Sequence, residues 1–378
     1  YGAAVRDYAN SKDYDDYFAN GRSILSLFGA RVDGVRSLPQ SLRLRDRLSP
    51  DDAAPGVIRL ELPAERWDSM EVDADGKWGE WLDADLRYGK SLIGARIRKR
   101  GDNSVHWLTE KRSMTVRTPR DDFYKRFRQF GLSAKDVVPS YLANRLSQEF
   151  GLLAPSTDLT ALYLNNRFYG TYRFVEVVDE SFLRPFNRMP GNIFSGDAAE
   201  RGSYYKGQNR NIFENVIPWN RASANDRVTS AGTGQLRLLL EDVAGTTFAD
   251  HERLMRRVDR GEFARLFSYQ FLVGDPYHDD AVHNQLIYED PSTQRLHPIP
   301  WDTRLLDLSV PQHPVNPWYQ AMMRDPFVLD SVMRDVAGRL RDDAILSRAD
   351  TLVRSAERRY ASYLAYDRLR GELIPSVG

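Results

Sequence analysis

The segment "TDLTALYLNNRFYGTYRFVEVVDESF", residues 157–182, restricts the fold more than any other stretch of the chain. Two β-rich runs flank Asn165-Asn166, a pair that tolerates positive φ, so the segment predicts a hairpin with a two-residue turn. The same period of two recurs upstream, in "GVIRLEL" from Gly56, in "SLIGARIRKRGD" and in "KRSMTVRT". In the last of these, Met114 and Val116 face one way and Lys111, Thr115 and Arg117 the other. "DVVPSYLANRLSQEFGL" (136–152) interrupts the strands with a helix ended by Gly151. Residues 55–178 therefore read as a strand-rich lobe, a mostly antiparallel sheet with one helix inserted before the final hairpin.

Both flanks are helical. Residues 1–54 form an expected helical extension, in which "RSILSLFGARVDGVRSL" carries an apolar stripe at helical spacing and braces a neighbouring domain. Beyond the crossing at Glu176–Glu180, a helix-type segment begins near Asp179. Helical periods follow at 234–243, 248–258, 261–273, 327–340 and 344–373, with a polar, Gly/Asn/Ser-rich loop at 204–234. The expected fold class is α+β: a strand-rich lobe over 55–178 and a helix-rich lobe over 179–378. Ligands often bind between such lobes.

The stretch "GDPYHDDAVHNQLIYEDPSTQRLHPIPWD" (274–302) carries the chemistry. A loop from Asp275 to His283 leads into two short strands, "QLIYED" and "RLHPIP", joined by the turn-type segment "PSTQ". Antiparallel strands joined this way bring their far ends together. Asn284 and Asp302 are thus predicted neighbours although 18 residues separate them. Two oxygen ligands with further carboxylates close by suit Mg²⁺. Protein kinases place a catalytic Asp five residues before a metal-binding Asn and use a later Asp for metal. Here Asp279 has that five-residue spacing and Asp280 a spacing of four. One of them is the candidate base that takes the proton of an acceptor hydroxyl, with Asp279 preferred on spacing. His278 and His283 lie in the same loop without a third ligand of the type a zinc site needs.

Other features bound the function. Lys+Arg and Asp+Glu are equal at 53 each, which argues against a whole-chain preference for nucleic acid or anionic membrane. Only eight residues are lysines, so a site that needs a lysine has few candidates. Lys111 and Arg117 can reach phosphate oxygens from a shared strand face, or simply form a solvated basic face. The backbone from Glu176 to Val178 can pair with an adenine edge, or end a core strand at a helix cap. "RKRGDNS" can lay its turn over phosphates or be a plain hairpin. The absence of cysteine excludes disulfides and thiolate metal sites. No apolar run approaches the roughly 18 residues that span a bilayer. The chain opens at Tyr1; a cleaved signal or an anchor ahead of it is the expectation, with an extracytoplasmic or cell-surface location favoured.

Four segments in order carry a family resemblance: "RIRKRGDNSVHWLTEKRSMTVR" (96–117), "LSQEFGLLAPSTDLTALYLNNRFYGTYRFVEVVDESFL" (146–183), "GNIF" (191–194) and "HNQLIYEDPSTQRLHPIPWD" (283–302). The chain resembles the spore-coat-protein-H-like (CotH) atypical protein kinases over roughly 90–310. The resemblance implies a two-lobed kinase-like fold, ATP with Mg²⁺ or Mn²⁺, and phosphorylation of Ser or Thr on secreted or surface proteins. It matches Asp302 to the metal-binding Asp of a P-W-D motif and Asn284 to the Asn of H-N, and it puts the catalytic Asp at Asp279 or Asp280. Phe194-Ser195 stands where the family often has Tyr-Lys, and Arg117 where a Lys is common. Two other classes compete: a metal-dependent phosphoesterase, and a structural coat-type pseudokinase without transfer activity. Retention of Asp279, Asp280, Asn284 and Asp302 argues against the second, and the lack of a second metal cluster against the first.

Overall fold

The computed structural model describes residues 56–63, 81–88, 90–101, 111–196, 212–222, 230–273, 284–303, 316–341 and 344–367. The expected extension over 1–54, most of the 204–234 loop, and Asp279 and Asp280 lie outside these residues.

Seven strands make up the first half: β1 (Val57–Glu61), β2 (Leu82–Tyr88), β3 (Ser91–Lys99), β4 (Met114–Arg117), β5 (Gln129–Ser133), β6 (Thr157–Leu164) and β7 (Arg167–Glu176). The β6–β7 hairpin turns as the sequence predicts, with Asn165 and Asn166 at φ 49° and 64°. The mostly antiparallel sheet expected for 55–178 closes into a barrel in the order β1-β2-β3-β4-β5-β7-β6. Closure comes from β1, which pairs in parallel with β6 from Val57↔Ala161 to Leu60↔Leu164. Sequence periodicity cannot show such a pairing, because it joins strands about a hundred residues apart. The turn residue Asn165 fastens the seam: its side-chain amide donates to the Leu62 carbonyl and its oxygen accepts from the Leu62 N–H, both at 2.8 Å. Closure also leaves no strand edge open to further pairing. Ile58, Leu60, Leu86, Ile97, Met114 and Phe130 fill the barrel.

Between β5 and β6 runs α1 (Val137–Glu149), the inserted helix. Pro139 sits in its first turn, where a missing N–H costs nothing. Although the barrel sequence contains α1, its apolar residues belong to the helical core, where Leu142 and Leu146 meet α4 (Arg260–Val273) and α7 (Ala344–Tyr366). The helical body also holds α2 (Gly234–Ala244), α3 (Phe248–Arg257), α5 (Pro317–Met322) and α6 (Pro326–Arg341). The helical periods of the sequence thus become helices with boundaries shifted by a few residues, except that the one read as 344–373 ends at Tyr366, and 368–373 lies outside the described residues. A second sheet, ordered β11-β10-β8-β9, lies with them: β8 (Asn192–Gly196), β9 (Trp219–Arg221), β10 (Gln285–Glu289) and β11 (Leu296–Ile299). Only β10 and β11 are legible in the sequence, since β9 has three residues and sits in a polar run. The fold is mixed α+β.

A buried ion pair helps tie the barrel to the helices. Lys111 donates from Nζ to Oδ2 of Asp367 at 2.7 Å, and neither side chain has any exposed surface. The same carboxylate oxygen accepts from the Thr171 N–H at 2.7 Å. Gly170 makes room: at φ 148°, a Cβ there would sit 3.0 Å from Lys111 Cε and 3.2 Å from Asp367 Oδ2. Lys111 therefore does not share a solvent-facing strand face with Arg117. It precedes β4 and points inward, and the strand alternation read from Met114 does not extend back to it.

Removing one member of a buried pair leaves the other charge without compensation. Lys111→Met alone should cost about 3–5 kcal/mol in chemical denaturation. Adding Asp367→Asn, which keeps an acceptor for the Thr171 N–H, should cost far less in the Lys111→Met background than in the wild type. Additive losses in that double-mutant cycle would show that the pair is not a coupled unit.

Candidate active site

The β10–β11 ladder runs from Leu286↔Ile299 to Glu289↔Leu296, so the chain on either side of it emerges at one place. There Asn284 donates from Nδ2 to Oδ2 of Asp302 at 3.1 Å, on the surface. The two side chains are neighbours, as the strand–turn–strand pattern requires. Both residues hold left-handed backbone, Asn284 at φ 57° and Asp302 at φ 54°. Asn and Asp tolerate this conformation better than other non-glycine residues, at some cost in strain. Directly after them, Thr303 is fully buried, and its carbonyl accepts from Asn144 Nδ2 of α1 at 3.5 Å. That helix is held in turn by the Tyr269 hydroxyl of α4, which donates to the Ala143 carbonyl at 2.9 Å.

Positive charge backs the pair from the barrel. Arg173 of β7 is buried, and burial lowers its pKa from the ordinary guanidinium value while the Asp302 and Asp136 carboxylates oppose the shift. Asp136, the N-cap of α1, is itself left-handed at φ 44°. Three of the eight non-glycine residues with positive φ among the described residues thus gather around one buried arginine. Such outliers persist only where the surroundings over-determine them, and they cluster at functional sites. Arg100, just past β3, places its guanidinium 5.6 Å from the Trp301 ring centroid. It also lies against Gly131 of β5, where a Cβ would fall 1.5 Å from Nη1. Any larger residue at 131 would push Arg100 away from the strand that delivers Asp302.

The other sequence candidates stand elsewhere. Arg117 is exposed and pairs in register with Arg96 and Gln129. From Gln129 to Ser133, the register partner of Arg173, is about 13 Å along β5 at ~3.3 Å per residue. Arg117 lines a separate cavity of about 1020 Å³ with Trp81, Arg96 and Arg128. The volume of that cavity does not make it the reaction centre, since neither Asn284 nor Asp302 lines it. Glu176 ends β7 with its carboxylate engaged, accepting from the Ser156 N–H and the Arg126 guanidinium at 2.9 Å. Val178 is buried where the chain crosses from barrel to second sheet, packed with Phe182, Ile193 and Leu286. Asp279, Asp280, His278 and His283 lie outside the described residues. Arg173 was not singled out by sequence reasoning, although a lone arginine in the apolar run "TYRFVEV" is a legible sign of a buried partner.

A second group of metal-ligating types, Asp259, Glu262 and His297, lies in the helical body. Its acids are already engaged. Asp259 Oδ1 accepts from the Glu262 N–H at 2.9 Å as the cap of α4, and Glu262 meets Arg188 at 2.5 Å and His297 Nδ1 at 2.9 Å. This is a bracket between α4 and the β10–β11 hairpin. Asn284 and Asp302 instead present hard oxygen donors at the surface, a set that fits Mg²⁺ or Mn²⁺.

Comparison with known proteins agrees with the resemblance seen in the sequence. No curated protein sequence matches the chain significantly. A family model described as CotH kinase protein matches residues 97–335, a span that includes β4 through most of α6 and both Asn284 and Asp302. As that match covers well over half of the 378 residues, the chain belongs to the CotH kinase protein family.

Proposed function

We propose that the protein is an ATP- and divalent-metal-dependent protein kinase of a kinase-like two-lobed design, the barrel acting as the nucleotide lobe and the helical body as the catalytic lobe. Its acceptor is a Ser or Thr hydroxyl on a secreted or surface protein. The observation that carries this reading is the exposed Asn284–Asp302 pair at the root of the β10–β11 hairpin, backed by the buried charge of Arg173. Asn284 and Asp302 would hold Mg²⁺ or Mn²⁺, which would supply positive charge to offset the charge developing on the transferred phosphoryl group. Arg173 and Arg100 supply fixed positive potential on the barrel side. The backbone between Glu176 and Val178, at the crossing, is where an adenine edge would dock.

The chemistry then falls to Asp279. It accepts the proton of the acceptor hydroxyl as that oxygen bonds to the γ-phosphorus of ATP. The bond from that phosphorus to the bridging oxygen breaks, and ADP leaves with the electron pair. Lys111 contributes from within by holding the barrel to the helices, since its amine is spent on Asp367.

Two experiments test this. Asp302→Asn keeps the shape and the left-handed preference but removes the charge; it should weaken Mg²⁺-dependent ATP binding, measured calorimetrically, by about a hundredfold or more, at least the loss seen on disturbing a metal's outer ligands. Unchanged affinity would remove Asp302 from the metal site. Asp279→Asn should cut turnover about a hundredfold or more with ATP affinity retained, the loss expected for a missing general base. If Asp280→Asn does so and Asp279→Asn does not, the two exchange roles.

A further inference from the structure

Strand β7 alternates between two surroundings. Tyr172 and Phe174 point into the barrel, where they pack with Phe130 and Leu132. Thr171, Arg173 and Val175 therefore share the outer face. That face is turned to the helical body: Leu159, the register partner of Arg173 on β6, packs in the helical core. Beside Val175 lies Gly131 of β5, where a Cβ would fall 2.9 Å from Val175 Cγ1 and 1.5 Å from Arg100 Nη1. The Arg100 guanidinium thus covers the row next to Arg173, and it also meets the ring of Trp301, the residue before Asp302. From the helical side, the Thr303 carbonyl rests on Asn144 of α1. The segment that delivers Asp302 is thereby held between α1 and the barrel face that carries Arg173.

Arg173 stands apart from its neighbours on that face. It is only 6% exposed, yet among the described residues it forms no ion pair and no hydrogen bond, and its Nε is buried without a partner. Elsewhere in the protein half-buried arginines are matched directly, Arg188 by Glu262 and Arg257 by Asp242. The carboxylates whose field reaches Arg173 are those of Asp302 and Asp136. A charge buried without a direct partner is costly, and a native structure that keeps one calls for an explanation. The chemistry of the group narrows it. A guanidinium is a planar fork of N–H donors that matches phosphate oxygens in pairs. The other basic candidates are committed: Lys111 gives its amine to Asp367, and Arg117 opens on the separate cavity.

We infer that Arg173 is a phosphate-binding residue of the nucleotide site, its guanidinium donating to phosphate oxygens of ATP beside Asp302. The inference rests on the kinase reading and adds the residue that holds the phosphates from the barrel side. The competing role is that of a counter-ion that only offsets Asp302 and Asp136 and leaves phosphate recognition to other groups.

Calorimetry on the full chain separates the two by comparing Mg²⁺–ATP with adenosine, which shares the base and sugar but carries no phosphate. Arg173→Gln should weaken Mg²⁺–ATP binding about tenfold or more, the loss expected for hydrogen bonds between charged groups, and leave adenosine affinity unchanged. Arg173→Lys keeps the charge without the paired donors and should fall between wild type and Arg173→Gln. Arg117→Gln should change neither affinity. Equal Mg²⁺–ATP affinity in wild type and Arg173→Gln overturns the assignment; if Arg173→Gln does not fold, wild-type affinity in Arg173→Lys does so. A loss by the same factor for ATP and adenosine also overturns it, since that marks a structural role. The kinase reading fails separately. Arginine-dependent ATP binding in a protein that transfers no phosphate from ATP to dephosphorylated casein or to itself keeps Arg173 and defeats the kinase. Absence of Mg²⁺–ATP binding in the wild type overturns both.

Discussion

The buried Lys111–Asp367 pair is the constraint on which the relation of the two halves depends. A lysine and an aspartate without exposed surface must be mated, because either charge alone in that interior costs several kcal/mol. One partner precedes β4 and the other follows α7, so satisfying the pair fixes the barrel against the long helix. Asp367 also takes the Thr171 N–H, two residues from Arg173 on the same strand. The segment of β7 that carries Arg173 is thereby fastened to the end of α7.

At the site itself the protein concentrates strain and charge together. Asp136, Asn284 and Asp302 each hold a backbone conformation that other side chains avoid, and each is linked to its neighbours by charge or by a hydrogen bond. A closed barrel and a largely buried α1 make the frame stiff enough to keep them so. The stacking of Arg100 between Gly131 and Trp301 adds a direct contact between the barrel and the segment that delivers Asp302.

Much of this is written locally. The Asn165-Asn166 turn, the helical periods, and the meeting of Asn284 with Asp302 follow from residue type and spacing, because each is decided within some twenty residues. The closure of the barrel was not legible, since β1 and β6 carry no mark of each other in their periodicity. Nor was the burial of Lys111: its position in "KRSMTVRT" looks like strand alternation, and only the fold shows that its partner lies 256 residues on. β8 and β9 escaped notice for a different reason. Short strands in polar surroundings are defined by the neighbour they pair with, here β10.

That sequence distance has a consequence for how the chain acquires its structure. The barrel strands can assemble once β6 and β7 exist, but a lysine destined for a dry interior then waits for a carboxylate from beyond the last helix. Contacts of such long range are slow to form, because loop-closure entropy is lost before the contact repays it. The dry interior beside Thr171 therefore depends on a contact between segments far apart in the chain. Burial of Lys111 is thus completed only when α7 docks and brings Asp367 to it.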